Sequence, residues 1–155
     1  MIGAWHRFRN LSSRQRRDFF RALYLLPLAG VVLRVRDYWS VQQSLALHRE
    51  QKRGSADDTS ARWQEARGAA HMVHAASRYG LAKGNCLSRS LALCWLLQRY
   101  GIVAELRVGG KKSGDAFEAH AWVEVAGVVV NDGEDVGDDF ASFDAPATRE
   151  MLEGK

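Results

Sequence analysis

Cysteine is scarce in this sequence, and its scarcity limits the class of protein. The chain of 155 residues has two cysteines, Cys86 and Cys94, too few for the disulfide framework of a small secreted domain. On one predicted helix their separation is about 12 Å, which is farther than a disulfide can span. With no disulfide framework and no recognisable signal peptide, we expect a cytoplasmic protein.

Long apolar runs are also absent from the sequence. Residues 22–33 form an apolar stretch of a dozen residues that is bounded by Arg21 and Arg34. Because a helix needs about 20 apolar residues to cross a bilayer, we expect no stable membrane insertion. The composition, 46% hydrophobic and 26% charged, is that of one ordinary globular domain rather than of a disordered chain.

Charge is distributed unevenly along the chain. Residues 1–53 contain eleven Arg or Lys and three Asp or Glu, whereas residues 113–155 contain two and eleven. A basic segment of this kind can bind nucleic acid, a membrane surface or a protein partner, or it can pack against the acidic end. Among the partners we expect a protein and no nucleic acid.

Two helices are predicted in the first third of the chain. Ser12 or Ser13 can cap the first helix, and we expect Pro27 and Gly30 to interrupt it. The second helix should begin near Asp37. Both helices are rich in arginine and in apolar side chains.

A polar segment divides the chain into two regions. Residues 48–60 show no apolar periodicity, which is typical of a linker or an exposed loop. We therefore expect a basic N-terminal helical region over residues 1–53 and a core over residues 54–155. The core should begin with a helix that starts at residues 58–60 and ends at Gly80.

The remaining elements follow in the order helix, strand and hairpin. A buried helix is predicted from Cys86 until Gly101 ends it, and residues 102–108 alternate as a half-buried strand does. Residues 109–114 predict a turn or a flexible loop. A hairpin is expected beyond them, with strands over residues 117–125 and 128–132.

Three residues on successive elements form a candidate catalytic triad. Cys86 opens the buried helix, His120 lies in the first hairpin strand and Asp132 closes the second. A nucleophile, a base and a residue that orients the base are what acyl transfer by a thiol requires. Unpaired N–H groups at the helix start can also face a developing oxyanion, so one location supplies the thiol and part of the oxyanion hole.

The hairpin register can be tested against this triad. A three-residue loop over residues 125–127 pairs Glu124 with Val128 and sets His120 opposite Asp132. Side chains directly opposite each other have Cβ atoms about 5 Å apart, within reach of a hydrogen bond. A two-residue loop would instead pair His120 with Gly133. The triad therefore favours the three-residue loop.

Each candidate residue also has a structural interpretation. Cys86 could be a small buried apolar side chain, as we expect for Cys94, and His120 or Asp132 could serve packing or the turn. Trp122 could wall a substrate groove, shield the Asp–His contact or simply pack. The occurrence of thiol, imidazole and carboxylate in the right order on the right elements favours the catalytic interpretation.

Metal and phosphate sites have weaker support. His71 and His74 are three residues apart on a predicted helix, but no further ligands are apparent nearby. Residues 109–112 are rich in glycine and lysine but lack the Gly-Lys-Ser/Thr ending of a phosphate-binding loop. We expect neither a metal nor a cofactor.

Three segments resemble the leader peptidases of lasso-peptide biosynthesis, which have a transglutaminase-like, papain-type cysteine protease core. They are Gly84-Asn85-Cys86-Leu87-Ser88-Arg89-Ser90-Leu91-Ala92, Ala119-His120-Ala121-Trp122-Val123 and Val130-Asn131-Asp132-Gly133. The likeness covers residues 60–145, and more loosely the N-terminal helices. It implies an α+β fold, with N-terminal helices and a small antiparallel sheet.

The resemblance also implies a function. Cys86 would be the nucleophile, His120 the general base and acid, and Asp132 the orienting residue, in removing a leader from a ribosomally made precursor. Its partners would be the leader peptide, a separate leader-binding protein and an ATP-dependent cyclase. Two alternatives stay open: a transglutaminase-like acyl transferase, and a non-catalytic module that binds a protein through the basic helices.

Overall fold

The fold combines long helices with a small antiparallel sheet, as expected for the α+β class. A computed structural model describes residues 11–36, 40–45, 59–80, 84–113, 116–133 and 135–143. The helices and strands follow in chain order as α1 (Ser13–Val35), α2 (Thr59–Tyr79), α3 (Cys86–Arg99), β1 (Glu105–Ser113), β2 (Ala116–Val125), β3 (Val128–Val129), α4 (Val136–Asp139) and β4 (Ala141–Ser142). Residues 40–45 are also helical.

Helix α1 begins where its sequence predicts and continues farther than expected. Ser12 caps it: its hydroxyl accepts from the Gln15 N–H at 3.2 Å, and its own N–H donates to the Gln15 side chain at 2.8 Å. The expected interruption at Pro27 and Gly30 is wrong, because the helix runs through both residues. Pro27 is exposed and costs the helix one hydrogen bond. Its neighbour Leu26 is buried in the core, which stabilises the helix on both sides of Pro27.

The other N-terminal predictions fall partly within the described residues. Residues 40–45 are helical, which confirms helix content after α1. The expected start of this second helix at Asp37, and most of the expected linker over residues 48–60, lie outside the described residues. The division at residue 53 stays a prediction. Buried residues of α1, among them Ala22 and Leu26, belong to the same hydrophobic cluster as those of α2 and α3.

Helices α2 and α3 form the centre of the molecule. Helix α2 ends at Tyr79, directly before Gly80 as predicted, and α3 opens at Cys86. Helix α2 supplies an alanine-rich surface and α3 a leucine-rich surface to one core. This core also contains inward side chains of β1 and β2. Its fully buried members include Ala66, Ala76, Leu91, Leu96, Leu97 and Val123.

The sheet has four strands in the order β3-β2-β1-β4, and its described pairs are antiparallel. The expected loop over residues 109–114 is wrong as far as it is described, since β1 continues to Ser113. Gly109 pairs with His120 of β2 on one side and with Ser142 of β4 on the other. Pairing on both sides extends a segment that read locally as a turn.

The connection between β2 and β3 is a two-residue turn, so the expected three-residue loop is wrong. Val125 pairs with Val128, and both intervening residues have positive φ angles, 51° at Ala126 and 78° at Gly127. Two successive positive φ angles define the turn whose twist suits a tight hairpin. Gly127 adopts this conformation without strain, whereas Ala126 carries a Cβ in the left-handed region.

Candidate active site

The cysteine stands at the first position of α3. Asn85 caps the helix: its side-chain oxygen accepts from the Ser88 N–H at 2.8 Å, and its carbonyl accepts from the Arg89 N–H at 3.1 Å. The N–H groups of Cys86 and Leu87 precede these bonds and have no partner within the helix. They are therefore available to a negatively charged oxygen beside the half-buried thiol.

Helix α1 packs closely against the residues that precede this cysteine. A Cβ atom at Gly84 would lie 3.1 Å from Leu26 Cδ2 and 2.8 Å from Ser88 Oγ. Contacts this short exclude a side chain at position 84 unless the neighbours shift. The absence of a side chain thus allows α1 and the start of α3 to approach each other.

Histidine and aspartate meet directly. His120 Nε2 lies 2.6 Å from Asp132 Oδ2, within hydrogen-bond distance, and the two side chains are 24% and 38% exposed. With Nε2 held by the carboxylate, Nδ1 is the ring nitrogen left for a thiol. The expected contact between His120 and Asp132 is present, although it does not arise from the expected register.

The chain leaves the β ladder immediately before Asp132. Val130 donates its N–H to the Val123 carbonyl at 3.0 Å, but the Val123 N–H donates at 2.7 Å to the Asn131 side chain instead of to a carbonyl. Regular pairing would have set His120 opposite Gly133. The side-chain bond of Asn131 replaces the next ladder bond, and Asp132 reaches the imidazole from outside the ladder.

A buried hydrogen-bond chain connects this turn to the cysteine helix. Asn131 donates to Ser90 Oγ at 3.1 Å, and the Ser90 hydroxyl donates to the Ala121 carbonyl at 3.0 Å. Ser90 is fully buried and lies one helical turn after Cys86. This chain of hydrogen bonds therefore connects α3, β2 and the segment after β3, which are the three parts of the protein that carry Cys86, His120 and Asp132.

Sequence reasoning did not single out Ser90 or Asn131. The available signal was a hydroxyl residue on the side of α3 that carries Cys86, within a helix otherwise expected to be buried. A buried hydroxyl needs a hydrogen-bond partner. Its partner, Asn131, is distant in sequence and could not be identified without the fold.

Aromatic packing supports the imidazole. The rings of His120 and Phe140 have centroids 5.1 Å apart, and Lys111 Nζ lies 4.5 Å from the centroid of the Phe140 ring. Phe140 belongs to a small buried cluster with Trp122 and Val136. Phe140 lies in no sequence motif that would have indicated a role at the site.

Trp122 lies in the core rather than at the candidate site. It is 1% exposed, and its indole N–H donates to Glu124 at 2.8 Å. The side chain does not line the cavity beside Cys86. Of the roles expected for Trp122, the structure shows the packing role, through which it supports Phe140.

Cys86, His120 and Asp132 line one cavity of about 260 Å³. Its wall also includes Asn131, Arg89 and His74, and its remaining surface is apolar. Arg89 is half-buried, and among the described residues it has no ion pair or hydrogen bond through its guanidinium. This cation is available to an anionic group of a bound molecule.

The second cysteine is chemically different from the first. Cys94 is fully buried in α3, and burial raises the pKa of its thiol from 9.0 to about 12. It is therefore a protonated apolar side chain at neutral pH. Cys86 is the cysteine that lines the same cavity as the His120 imidazole.

His71 and His74 are exposed on α2, and only His74 lines the cavity. Within the described residues, no group of three or more His, Cys, Asp or Glu side chains could hold a metal ion. The described helices likewise include none that is long and apolar enough to cross a membrane.

Cys86 at a helix start, His120 on an antiparallel sheet and the Asp132 carboxylate beside it line one cavity. They form a candidate cysteine–histidine–aspartate site. The chain belongs to the transglutaminase-like superfamily, whose family model matches residues 29–143. This superfamily includes cysteine proteases and acyl transferases. No curated protein and no solved structure matches the chain significantly.

Proposed function

We propose that the protein is a cysteine endopeptidase that removes the leader from a ribosomally made lasso-peptide precursor. The observation that supports the chemistry is the His120–Asp132 hydrogen bond beside the Cys86 cavity. The superfamily match supports a thiol enzyme. The resemblance of the segments around Cys86, His120 and Asp132 to the lasso leader peptidases supports the choice of substrate.

The first half-reaction forms a thioester. His120 Nδ1 takes the proton of the Cys86 thiol, and Sγ attacks the carbonyl carbon at the end of the leader. The N–H groups of Cys86 and Leu87 stabilise the oxyanion of the tetrahedral intermediate. The C–N bond then breaks, His120 gives its proton to the leaving amine, and the leader stays bound to Sγ.

The second half-reaction releases the leader. His120 takes a proton from water, the hydroxide attacks the thioester carbonyl, and the Cys86 thiolate leaves and regains its proton from His120. Asp132 stabilises the protonated imidazole in both halves. If a peptide amine attacked in place of water, the same residues would catalyse acyl transfer.

Partners follow from this substrate. A separate leader-binding protein would deliver the precursor, and an ATP-dependent cyclase would join the freed amine to a side-chain carboxylate. The reaction would occur in the cytoplasm, where the precursor is made. The peptidase itself would need no cofactor, because each proton transfer uses His120.

Incubation of the protein with precursor and leader-binding protein, followed by mass spectrometry, tests this function. Hydrolysis gives leader and core fragments whose summed mass exceeds that of the precursor by one water, whereas acyl transfer gives a cross-linked product or loss of ammonia. Cys86→Ala should abolish cleavage and Cys94→Ala should retain it. Cleavage by Cys86→Ala would exclude the thiol mechanism, and an intact precursor with the unmodified protein would contradict the peptidase.

A further inference from the structure

Within the described part of the chain, strand β2 has a long edge beside the candidate site with which no strand pairs. On one side it pairs with β1 along its whole length, from Ala116 opposite Ser113 to Glu124 opposite Glu105. On the other side β3 pairs only with Val125 and Glu124. The first half of β2 therefore has one strand neighbour among the described residues.

The direction of the backbone groups on this edge follows from three hydrogen bonds. Val123 receives the Val130 N–H on the β3 side, and Ala121 receives the Ser90 hydroxyl on that same side. In β1, the Val108 carbonyl accepts from the Phe143 N–H, so it points to the β4 side. The residues directly before and after Val108 therefore direct their backbone groups toward β2. Since backbone groups alternate along a strand, Phe117 and Ala119 direct their N–H and C=O groups away from β1.

The two residues that carry these four backbone groups are exposed. Phe117 is 67% exposed and Ala119 is also exposed, and neither residue has a hydrogen bond on this side in the described part of the chain. Free edges are usually blunted by proline, lysine or a bulge. Residues 116–121 of β2 contain none of these devices.

The edge runs directly to the cavity. Its last free residue, Ala119, precedes His120, and the next carbonyl, that of Ala121, is already occupied by Ser90. The cavity of about 260 Å³ is smaller than the roughly 300–1,000 Å³ of typical small-molecule sites. It can hold only the residues around a scissile bond, so the rest of a peptide must lie on the surface beside it.

We propose that the edge formed by Phe117 and Ala119 binds an extended segment of the peptide substrate as an added strand. The backbone N–H and C=O groups of the substrate would pair with those of Phe117 and Ala119, on one side of the scissile bond. This inference rests on the proposed peptidase function. It assigns substrate binding to backbone groups rather than to a side-chain motif.

Backbone N-methylation of the substrate tests the added strand without changing the protein. Peptides of about twelve residues spanning the leader–core junction, each with one N-methyl group, are titrated against Cys86→Ala. Methylation should weaken binding about five- to tenfold at alternate residues on one side of the junction. The intervening residues should change binding less than about twofold. Equal losses at neighbouring positions would overturn the inference.

Amide hydrogen exchange provides a second test, part of which needs no substrate. In the free protein, the amides of Phe117 and Ala119 should exchange fast, whereas those of Glu118 and His120, which face β1, should be protected. The unmethylated peptide, added to Cys86→Ala so that it is not cleaved, should slow exchange at Phe117 and Ala119. Protection of both amides in the free protein would overturn the inference, as would unchanged exchange with saturating peptide.

The two proposals fail in different ways. If the wild-type protein leaves the unmethylated junction peptide and the delivered precursor intact, the peptidase function fails. If the peptide is cleaved but N-methylation has no two-residue period, the peptidase function stands and the added strand is wrong.

Discussion

His120 Nε2 lies 2.6 Å from Asp132 Oδ2, although β3 ends at Val129 and Asp132 belongs to no strand. The ladder thus does not position the carboxylate. Asn131 holds the segment by accepting from the Val123 N–H and donating to Ser90. The geometry of the candidate triad depends on this amide side chain.

Asn131→Ala should therefore lower kcat more than it changes KM. The substitution removes two hydrogen bonds and leaves the Val123 N–H without a partner, whereas the Ser90 hydroxyl keeps its bond to the Ala121 carbonyl. The loss should also cost about 1–3 kcal/mol of stability. Steady-state kinetics and urea unfolding measure both effects. As the matched control, Asn131→Asp retains the acceptor and should keep more stability; equal kcat in wild type and Asn131→Ala would exclude a positioning role.

Asp132→Asn should lower kcat by about 10²–10⁴-fold, because a neutral amide cannot stabilise the imidazolium formed during the reaction. The side chain is 38% exposed, so the folded state should be retained, as circular dichroism can verify. Full activity of Asp132→Asn would contradict the assignment of Asp132 as the orienting residue.

Iodoacetamide at pH 7.5 should label the native protein once. Cys94 is buried and its pKa is raised to about 12, so it contributes almost no thiolate. Intact mass should show one added group in wild type and in Cys94→Ala, and none in Cys86→Ala. A second group should enter the wild-type protein only in denaturant, and rapid double labelling of the native state would refute the burial of Cys94.

Stability should fall as pH rises above 9. Burial raises the pKa of Cys94 from 9.0 to about 12, and burial followed by the Asp18 hydrogen bond raises the pKa of Tyr100 above 10.0. Between pH 9 and 12, Cys94 is ionised in the unfolded chain but protonated in the folded one, so increasing pH favours unfolding.

Cys94 alone should contribute up to about 1.4 kcal/mol per pH unit to this loss of stability. Urea unfolding between pH 8 and 10.5 measures the loss, and Cys94→Ala should show a smaller slope. Parallel slopes in the two proteins would mean that the thiol ionises equally in both states.

The hairpin turn offers a stabilising substitution. Ala126 has φ 51°, a conformation that favours Gly, Asn or Asp over Ala, and Asn-Gly is a preferred pair for this turn. Ala126→Asn should stabilise the fold by about 0.5–1 kcal/mol with unchanged activity, whereas Gly127→Ala should destabilise it by about 1–2 kcal/mol. Thermal unfolding of both variants checks the opposite signs.

Local signals predicted the helix boundaries well. Ser12 caps α1, Gly80 follows α2, and Cys86 opens α3, because caps and glycine stops act within one helical turn. The predicted interruption of α1 at Pro27 was wrong, because the loss of one local hydrogen bond does not outweigh the burial of neighbouring side chains in a shared core.

Long-range pairing accounts for what the sequence did not reveal in the sheet. Residues 109–114 were predicted to be a turn or flexible loop, yet β2 pairs with β1 as far as Ser113, and β4 pairs with Gly109 and Gly110 on the other side. The predicted hairpin register was wrong because it was chosen to set His120 opposite Asp132. The structure has instead a two-residue turn with a positive φ at Ala126, a conformation that alanine rarely adopts. The candidate pair of His120 and Asp132 was nevertheless identified, since Asn131 corrects for the shifted register.

The approach of Leu26 to Gly84 means that α1 and the segment before the nucleophile restrict each other's choice of residues. A Cβ at position 84 would lie 2.8 Å from Ser88 Oγ and 3.1 Å from Leu26 Cδ2. A larger residue at position 84 would therefore require a smaller one at position 26 in addition to a shift of Ser88. Homologous chains should therefore vary these two positions jointly. We therefore expect that replacing α1 with that of a relative would also require a matching residue at position 84, although α1 lies far from Cys86 in sequence.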